Sequence, residues 1–144
     1  MPVADTEVLF ALSPKDPKHS LVLKRLRELT GVVAPDTAIL EFQIVLRARG
    51  NKPAEVKVAL LALHEALDRY GVKEAKTVNS SLLAFQCELE EKYGLSYFDS
   101  LMAASALTLD YKVISSDEVF DRVPELERIS IAGFVSNSGY RRQR

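Results

Sequence analysis

The stretch GLSYFDSLMAASALTLDYKVISSDEVFDR, residues 94–122, predicts a buried helix followed by a buried strand. Ser96 is a suitable helix N-cap, Asp99 lies in the first turn, and the rest of the helix is apolar almost all the way round. The short segment KVIS, residues 112–115, predicts a strand, and Asp117 follows where that strand should end in a turn. Carboxylates are therefore expected at the ends of two core elements.

Around this stretch, short apolar segments alternate with helical patterns. Between the helices, strands are predicted at Val3-Ala4, Val32–Ala34, Thr77-Val78 and from Arg128 to Ala132. Asp16-Pro17 predicts the start of one helix, and Pro35-Asp36 the start of another. Because parallel strands are joined by crossover helices, the alternation predicts one three-layer α/β/α domain with a short-stranded, mainly parallel sheet over residues 1–133. Residues 134–144 are expected to form a flexible basic tail.

Composition and charge limit the functions that the chain can have. It has 144 residues, 47% hydrophobic and 27% charged, and no apolar run reaches the roughly 20 residues of a membrane span. A formal net charge of -1 argues against a protein that binds nucleic acid through bulk positive charge. Solvated helix faces and a disordered end are the favoured explanation for the basic clusters at residues 24–27, 47–52 and 141–144. The single cysteine, Cys87, and the lack of a secretory signal predict a cytoplasmic protein.

Four acidic residues either cap neighbouring helices and turns or together bind a cation. Asp5, Asp99 and Asp117 could each simply cap a neighbouring helix or turn. Glu41 is different, because it lies within AILEFQIVL on a helix that is apolar around most of its circumference, where an unpaired carboxylate is costly. If the four carboxylates converge, they repel one another and need a cation. Oxygen ligands favour Mg²⁺ or Mn²⁺ over zinc, which prefers His and Cys.

The same residues resemble the motifs of a known family, the PIN-domain nucleases, and within it the VapC-like toxins of prokaryotic toxin-antitoxin pairs. The resemblance spans Val3 to about Ile131, and it rests on four segments: VADTEVL (3–9), PDTAILEFQIVLR (35–47), LSYFDSLMAASALTL (95–109) and VISSDEVFDRVPELERI (113–129). The acids that it implies as metal-binding and catalytic are Asp5, Glu41, Asp99 and Asp117. It also implies that the hydroxyls of Thr6 and Ser115 orient these acids.

By this resemblance the protein is expected to be a Mg²⁺- or Mn²⁺-dependent endoribonuclease, which hydrolyses phosphodiester bonds of RNA. The family also implies a homodimer and a small cognate antitoxin whose tail enters the acidic groove. Arg47 and Arg49 follow Glu41 on the same predicted helix, so they are expected to contact the RNA backbone.

Two further acids extend or depart from the family pattern. Glu7 stands where the family usually has a small polar residue, so it either adds charge to the site or points to solvent. Asp121 is close to Asp117 in the sequence and is a candidate for an additional or a substitute ligand. Two alternative functions are a non-catalytic PIN-like module that binds a partner protein and a phosphohydrolase with Asp5 as nucleophile. The second is disfavoured because such an enzyme has a second Asp where this chain has Glu7.

Overall fold

In the computed structural model, which describes residues 1–132, five short parallel strands form a single sheet. The strands are β1 (Val3–Ala4), β2 (Val33–Pro35), β3 (Lys73–Ala75), β4 (Lys112–Ile114) and β5 (Glu127–Ile129). They lie side by side in the order β3-β2-β1-β4-β5. The predicted basic tail, residues 134–144, falls outside the described part of the chain.

Helices connect and cover these strands. They are α1 (Thr6–Phe10), α2 (His19–Glu28), α3 (Asp36–Ala48), α4 (Pro53–Arg69), α5 (Ser80–Tyr93), α6 (Tyr97–Leu109) and a 3₁₀ helix (Glu118–Arg122) after β4. The three-layer α/β/α class with a parallel sheet, predicted from the sequence, is confirmed. No helix within residues 1–132 is both long and apolar enough to span a membrane.

The order of the strands creates a switch point beside β1. Within the sheet, β2 and β3 follow β1 on one side of it, and the chain then crosses back to place β4 and β5 on the other side of β1. Val3 and Ala4 of β1 and Val113 of β4 are fully buried, so these strands form the centre of the core. In open parallel sheets, ligands bind beyond the carboxyl ends of the strands at such a switch point. The residues that follow β1 and β4 are therefore candidates for a site.

Helix α6 is buried in the core, as its apolar sequence predicts. Ser96 caps it by accepting a hydrogen bond from the Asp99 amide (3.2 Å). The residues from Ser100 to Ala106 are all buried, and the helix packs against α3, α5 and the central strands. Because α6 leads directly into β4 and runs back along the sheet, its first turn, with Asp99, lies towards the carboxyl edge of the strands.

The predicted edge strand at Thr77-Val78 is wrong. The edge strand is β3, whose polar and largely exposed side chains give no apolar signal in the sequence. The amides of Thr77 and Val78 instead donate to the carboxylate of Asp36 at 3.0 Å. Backbone groups that a strand would have paired are thus bonded to a side chain.

Two predicted boundaries are also wrong. The last strand is β5 rather than residues 128–132, because it pairs with β4 and ends where β4 ends, with Ile129 opposite Ile114. Helix α2 begins at His19 rather than after Asp16-Pro17. The Asp16 carboxylate accepts the Lys18 amide (2.8 Å), which forms a separate turn before the helix.

Candidate active site

The sheet brings Asp5 and Ser115 together at the switch point. In the pairing of β1 with β4, Ala4 lies opposite Ile114, and the Asp5 amide extends the pairing by donating to the Ile114 carbonyl (3.1 Å). Ser115 follows directly, and its hydroxyl donates to Asp5 Oδ2 (2.6 Å). Oδ1 of Asp5 accepts from the Thr6 amide (2.7 Å) and caps α1. Neighbouring donors therefore fix both oxygens of Asp5.

Helix packing brings Glu41 to the same edge. Helix α1 packs on α3 through the stacked rings of Phe10 and Phe42, whose centroids are 4.4 Å apart. Thr6 lies one turn before Phe10, and Glu41 directly precedes Phe42. The Thr6 hydroxyl consequently donates to the Glu41 carboxylate. Thr6 was expected to orient one of the acids, and the acid that its hydroxyl contacts is Glu41.

Asp99 lies close enough to Glu41 for their charges to interact. Burial raises the pKa of Glu41; the hydrogen bond from Thr6 opposes this shift, and the negative charge of Asp99 adds to it. The helices that carry these two acids are joined by the hydroxyls of Thr37 on α3 and Ser105 on α6, which are 2.8 Å apart in the core. The relative position of Glu41 and Asp99 is therefore held by a buried contact.

Asp5 has the environment expected of a group that needs a cation. Burial raises the pKa of Asp5 to about 7, although the hydrogen bonds from Ser115 and Thr6 act in the opposite direction. The negative charges of Glu7 and Glu41 contribute to this rise in the pKa of Asp5. A carboxylate with these neighbours is unfavourable near neutral pH unless a positive charge joins it.

Asp117 is connected to the site mainly through its backbone. Its amide donates to Ser115 Oγ (3.0 Å), the same hydroxyl that contacts Asp5. Its Oδ1 accepts from the Val119 amide (3.0 Å) and caps the 3₁₀ helix. The capping role expected from the sequence is therefore present, and the side chain of Asp117 is exposed.

Glu7 points towards the site rather than to solvent. Its Oε2 lies 3.1 Å from Ser115 Oγ and accepts from the Ser116 amide (2.8 Å), while Oε1 pairs with Lys18 Nζ (2.8 Å). Burial opposes the charge of Glu7, but the hydrogen bonds from Lys18 and Ser116 outweigh burial and lower its pKa. Sequence reasoning missed both partners, because they lie 11 and 109 residues away and no local pattern signals them. The only signal was the acid itself, at a position where the family has a small polar residue.

The remaining candidates have partners of their own. Asp121 pairs with Arg128 through both carboxylate oxygens, at 3.0 and 3.1 Å, so this additional candidate ligand is already bound to a cation. The guanidinium of Arg49 lies over the Phe10 ring, 4.9 Å from its centroid. Arg47 is exposed in the last turn of α3. The structure leaves the proposed RNA contacts of Arg47 and Arg49 as predictions.

The side chains of the site suit a divalent cation chemically. They offer carboxylate oxygens, which are the ligands that Mg²⁺ and Mn²⁺ prefer. Repulsion links Asp5 to Glu41 and Glu41 to Asp99, and a cation among them would relieve it. Within residues 1–132, no group of three or more His, Cys, Asp or Glu side chains already has the geometry of a metal site. The acids of the described residues thus lie at one edge of the sheet, but their side chains are not arranged to coordinate a single ion.

Solved structures with the same fold include proteins of toxin-antitoxin pairs. A toxin-antitoxin complex from Klebsiella pneumoniae contains a chain with 12% identity and a TM-score of 0.66, covering 93% of this chain and 100% of that chain. VapBC2 from Rickettsia felis, bound to a DNA fragment from its promoter, gives 17% identity and a TM-score of 0.63, covering 89% and 96%. VapC20 from Mycobacterium tuberculosis, a Sarcin-Ricin loop cleaving toxin, gives 19% identity and a TM-score of 0.62, covering 84% and 93%. At these identities the similarity shows a shared fold.

The sequence comparison with protein families gives a match over most of the chain. No curated protein matches the sequence significantly. Residues 3–126 match the PIN domain, and this range includes Asp5, Glu41, Asp99 and Asp117. The family match agrees with the strand order and with the resemblance of the acidic segments. The chain therefore belongs to the PIN domain family.

Proposed function

We propose that the protein is a cytoplasmic, Mg²⁺- or Mn²⁺-dependent endoribonuclease that acts as the toxin of a VapBC-type toxin-antitoxin pair. The observation that carries the proposal is the environment of Asp5. Its carboxylate lies at the switch point of the sheet, has a pKa raised by burial to about 7, and interacts with Glu41, which in turn interacts with Asp99. Asp5 also caps α1, but an acidic group with a pKa raised this far and with acidic neighbours is typical of a functional site.

The four acids have distinct roles in this proposal. Asp5 and Asp99 are the first metal ligands, and Glu41 and Asp117 complete the site or orient the attacking water. Thr6 fixes Oε1 of Glu41, and Ser115 fixes Oδ2 of Asp5. When bound, the divalent ion supplies a water of lowered pKa and stabilises negative charge on the phosphate and the leaving oxygen. The protein's own contribution is to hold these oxygens in position before the substrate arrives.

RNA is proposed as the substrate for two reasons. One of the similar structures is of a toxin that cleaves the Sarcin-Ricin loop. An acidic pocket also needs cations around it to bind a polyanion, and Arg47 in the last turn of α3 and Arg49 just after the helix lie beyond Glu41 in the chain. In the structure Arg49 is held over Phe10, which keeps its guanidinium on the surface beside α1.

The proposed partners are a cognate antitoxin and a second copy of this chain. An apolar cleft of about 400 Å³ lies between α1, α3 and α4, and its lining includes Leu9, Phe10, Phe42, Leu46, Leu63 and Ala66. An exposed apolar cleft of this size suits a partner segment with apolar side chains. We propose that the antitoxin packs there and extends its tail into the acidic groove. Sedimentation velocity of the isolated protein tests the homodimer.

The experiment that tests the activity is cleavage of RNA by the purified protein. We expect cleavage with Mg²⁺ or Mn²⁺, none with EDTA, and a loss of cleavage in Asp99→Asn. Asp68→Asn, an exposed acid on α4, is the matched control that should cleave normally. If Asp99→Asn cleaves as well as the wild type after the same purification, the assignment is wrong. Sequencing the RNA ends after expression identifies the target and the cleaved position.

A second function, a non-catalytic PIN-like binding module, is favoured by one observation. The acids within residues 1–132 are not already arranged as a metal site. A thermal melt with and without Mn²⁺ distinguishes the two functions, because an ion that binds only the folded protein raises the melting temperature. A module without a metal site gives the same melting temperature in both samples.

A further inference from the structure

Lys18 is anchored at the entrance of the acidic site. Its amide donates to Asp16 Oδ1 (2.8 Å), and its carbonyl accepts from the Val22 amide (2.9 Å), so its backbone is fixed where α2 begins. Its ammonium reaches Oε1 of Glu7 at 2.8 Å. The Lys18 side chain is 48% exposed, whereas that of Glu7 is 21% exposed. The charge of Lys18 is therefore accessible to a solute while it lies beside the acids.

Glu7 connects Lys18 to the candidate metal ligand Asp5. The Ser115 hydroxyl lies between the two carboxylates, 2.6 Å from Asp5 Oδ2 and 3.1 Å from Glu7 Oε2. Glu7 and this hydroxyl therefore link the ammonium of Lys18 to Asp5 through a chain of contacts. A molecule that approaches Asp5 from solvent on this side therefore passes close to Lys18.

Two arginines near the site form hydrogen bonds with groups other than Asp5, Glu7 and Glu41. Arg128 is 6% exposed, and its guanidinium binds Asp121 and the Ser115 carbonyl (3.3 Å). Arg122 donates to the Gly94 carbonyl (3.1 Å). Lys18 differs from both because its contact is with Glu7, an acid beside Asp5, and it differs from Arg128 also because its side chain is exposed.

We propose that Lys18 binds the phosphodiester group of the substrate at the acidic site and positions it for cleavage. This inference rests on the ribonuclease function proposed above. Carboxylates repel a phosphate, and an ammonium at the entrance offsets part of that repulsion. An ion pair this exposed is weak, so Lys18 exchanges Glu7 for a phosphate oxygen with little loss. Glu7 keeps the amide (2.8 Å) and the hydroxyl (2.7 Å) of Ser116 after the exchange.

The test measures RNA binding and RNA cleavage separately. Binding of a labelled single-stranded RNA is followed by fluorescence anisotropy in the Asp99→Asn background with Mg²⁺, at several salt concentrations. Lys18→Ala should weaken binding about three- to tenfold and reduce the slope of log K against log salt by about 0.7, the value for one phosphate contact on a single strand. With Asp99 restored, the same substitution should raise KM by a similar factor and change kcat less.

Lys15→Ala is the matched control, because it removes the same charge from an exposed lysine three residues earlier. It should leave the salt slope and KM close to those of the parent protein. Equal effects of Lys15→Ala and Lys18→Ala would overturn the proposal, because RNA binding would then depend on the net charge of the protein and not on the position of Lys18. Melting temperatures of all variants confirm that they are folded.

Glu7→Gln separates substrate binding from neutralisation of Glu7. If Lys18 only neutralises Glu7, the double variant Glu7→Gln/Lys18→Ala regains normal binding and the proposal fails. If Lys18 binds phosphate, the double variant stays defective, and Glu7→Gln alone binds RNA at least as tightly as the parent. If the protein cleaves RNA and Lys18→Ala has no larger effect than Lys15→Ala, only the inference about Lys18 is overturned. A Lys18-dependent salt slope without cleavage overturns the nuclease function and leaves the phosphate contact standing.

Discussion

Asp5 and Asp36 occupy matching places in the fold but have opposite environments. The sequences VADT (3–6) and VAPDT (33–37) each place an Asp-Thr pair between a buried strand and a helix. Asp36 accepts hydrogen bonds from the amides of Thr37, Thr77 and Val78 and from the Thr77 hydroxyl (2.6 Å). Burial opposes its charge, yet these bonds lower its pKa. Asp5 has fewer donors and two acidic neighbours, and its pKa is raised to about 7.

The difference shows that matching positions in the fold do not give two acids the same charge state. Asp36 is satisfied as an anion by the protein, so it serves to hold the start of α3 against the segment that follows β3. Asp5 has fewer donors, so its charged form is disfavoured unless a positive charge joins it. The threonines differ in the same way: Thr37 contacts Ser105 in the core, whereas Thr6 contacts Glu41. One Asp-Thr pair is structural, and we assign the other to the site.

The largest effect is expected for Asp5→Asn. The substitution keeps the shape of the side chain and removes the charge that would hold a divalent ion, so RNA cleavage should fall by about 100-fold or more. Initial rates of cleavage at saturating Mn²⁺ measure it. Asp36→Asn is the matched control and should retain activity within about threefold at a temperature where it is folded. Similar losses of activity in the two variants would contradict the assignment of Asp5, but not Asp36, to the site.

Asp36→Asn should instead destabilise the fold. The amide group cannot accept every hydrogen bond that the carboxylate accepts, so we expect a loss of about 2 kcal/mol in the free energy of unfolding and a melting temperature lower by about 6 °C. Urea unfolding followed by circular dichroism measures this change. A variant as stable as the wild type would show that the donors around Asp36 contribute nothing to folding.

The pH dependence of stability without metal should distinguish the same two residues. Because the pKa of Asp5 is raised on folding, the folded protein binds more protons than the unfolded chain between about pH 4 and 7, and the free energy of unfolding falls as the pH rises through that range. Asp5→Asn removes this contribution. In EDTA it should gain up to about 4 kcal/mol relative to the wild type between pH 4 and pH 8, because each unit of the pKa shift is worth about 1.4 kcal/mol. Parallel curves for the two proteins would argue against the buried environment of Asp5.

The smallest effect is expected for Thr6→Val, which removes the hydroxyl that donates to Glu41 and preserves the branched shape of the side chain. Cleavage should fall by about tenfold, as is typical when a residue that orients a ligand is lost. Thr6→Ser keeps the hydroxyl and should be nearly normal. A normal rate for Thr6→Val would mean that Glu41 does not depend on Thr6 for its orientation.

The central strands and the buried helix could be predicted from the sequence, because β1, β2, β4 and α6 are apolar and have clear boundary residues. The edge strands β3 and β5 could not be placed correctly, since their limits depend on pairing with neighbouring strands. The order of the acidic motifs suggested the four candidate ligands. The link from Thr6 to Glu41 and the pair of Glu7 with Lys18 join distant segments, and only the folded chain brings them together.

The central claim, that Asp5 belongs to a site for a divalent cation, is tested most directly by calorimetric titration of Mn²⁺ into the protein at pH 8. At this pH, protons compete little with the metal for the Asp5 carboxylate. We predict saturable binding to the wild type and to Asp36→Asn, with binding to Asp5→Asn reduced beyond detection. Equal binding by the wild type and Asp5→Asn, or no binding by the wild type, would contradict the assignment.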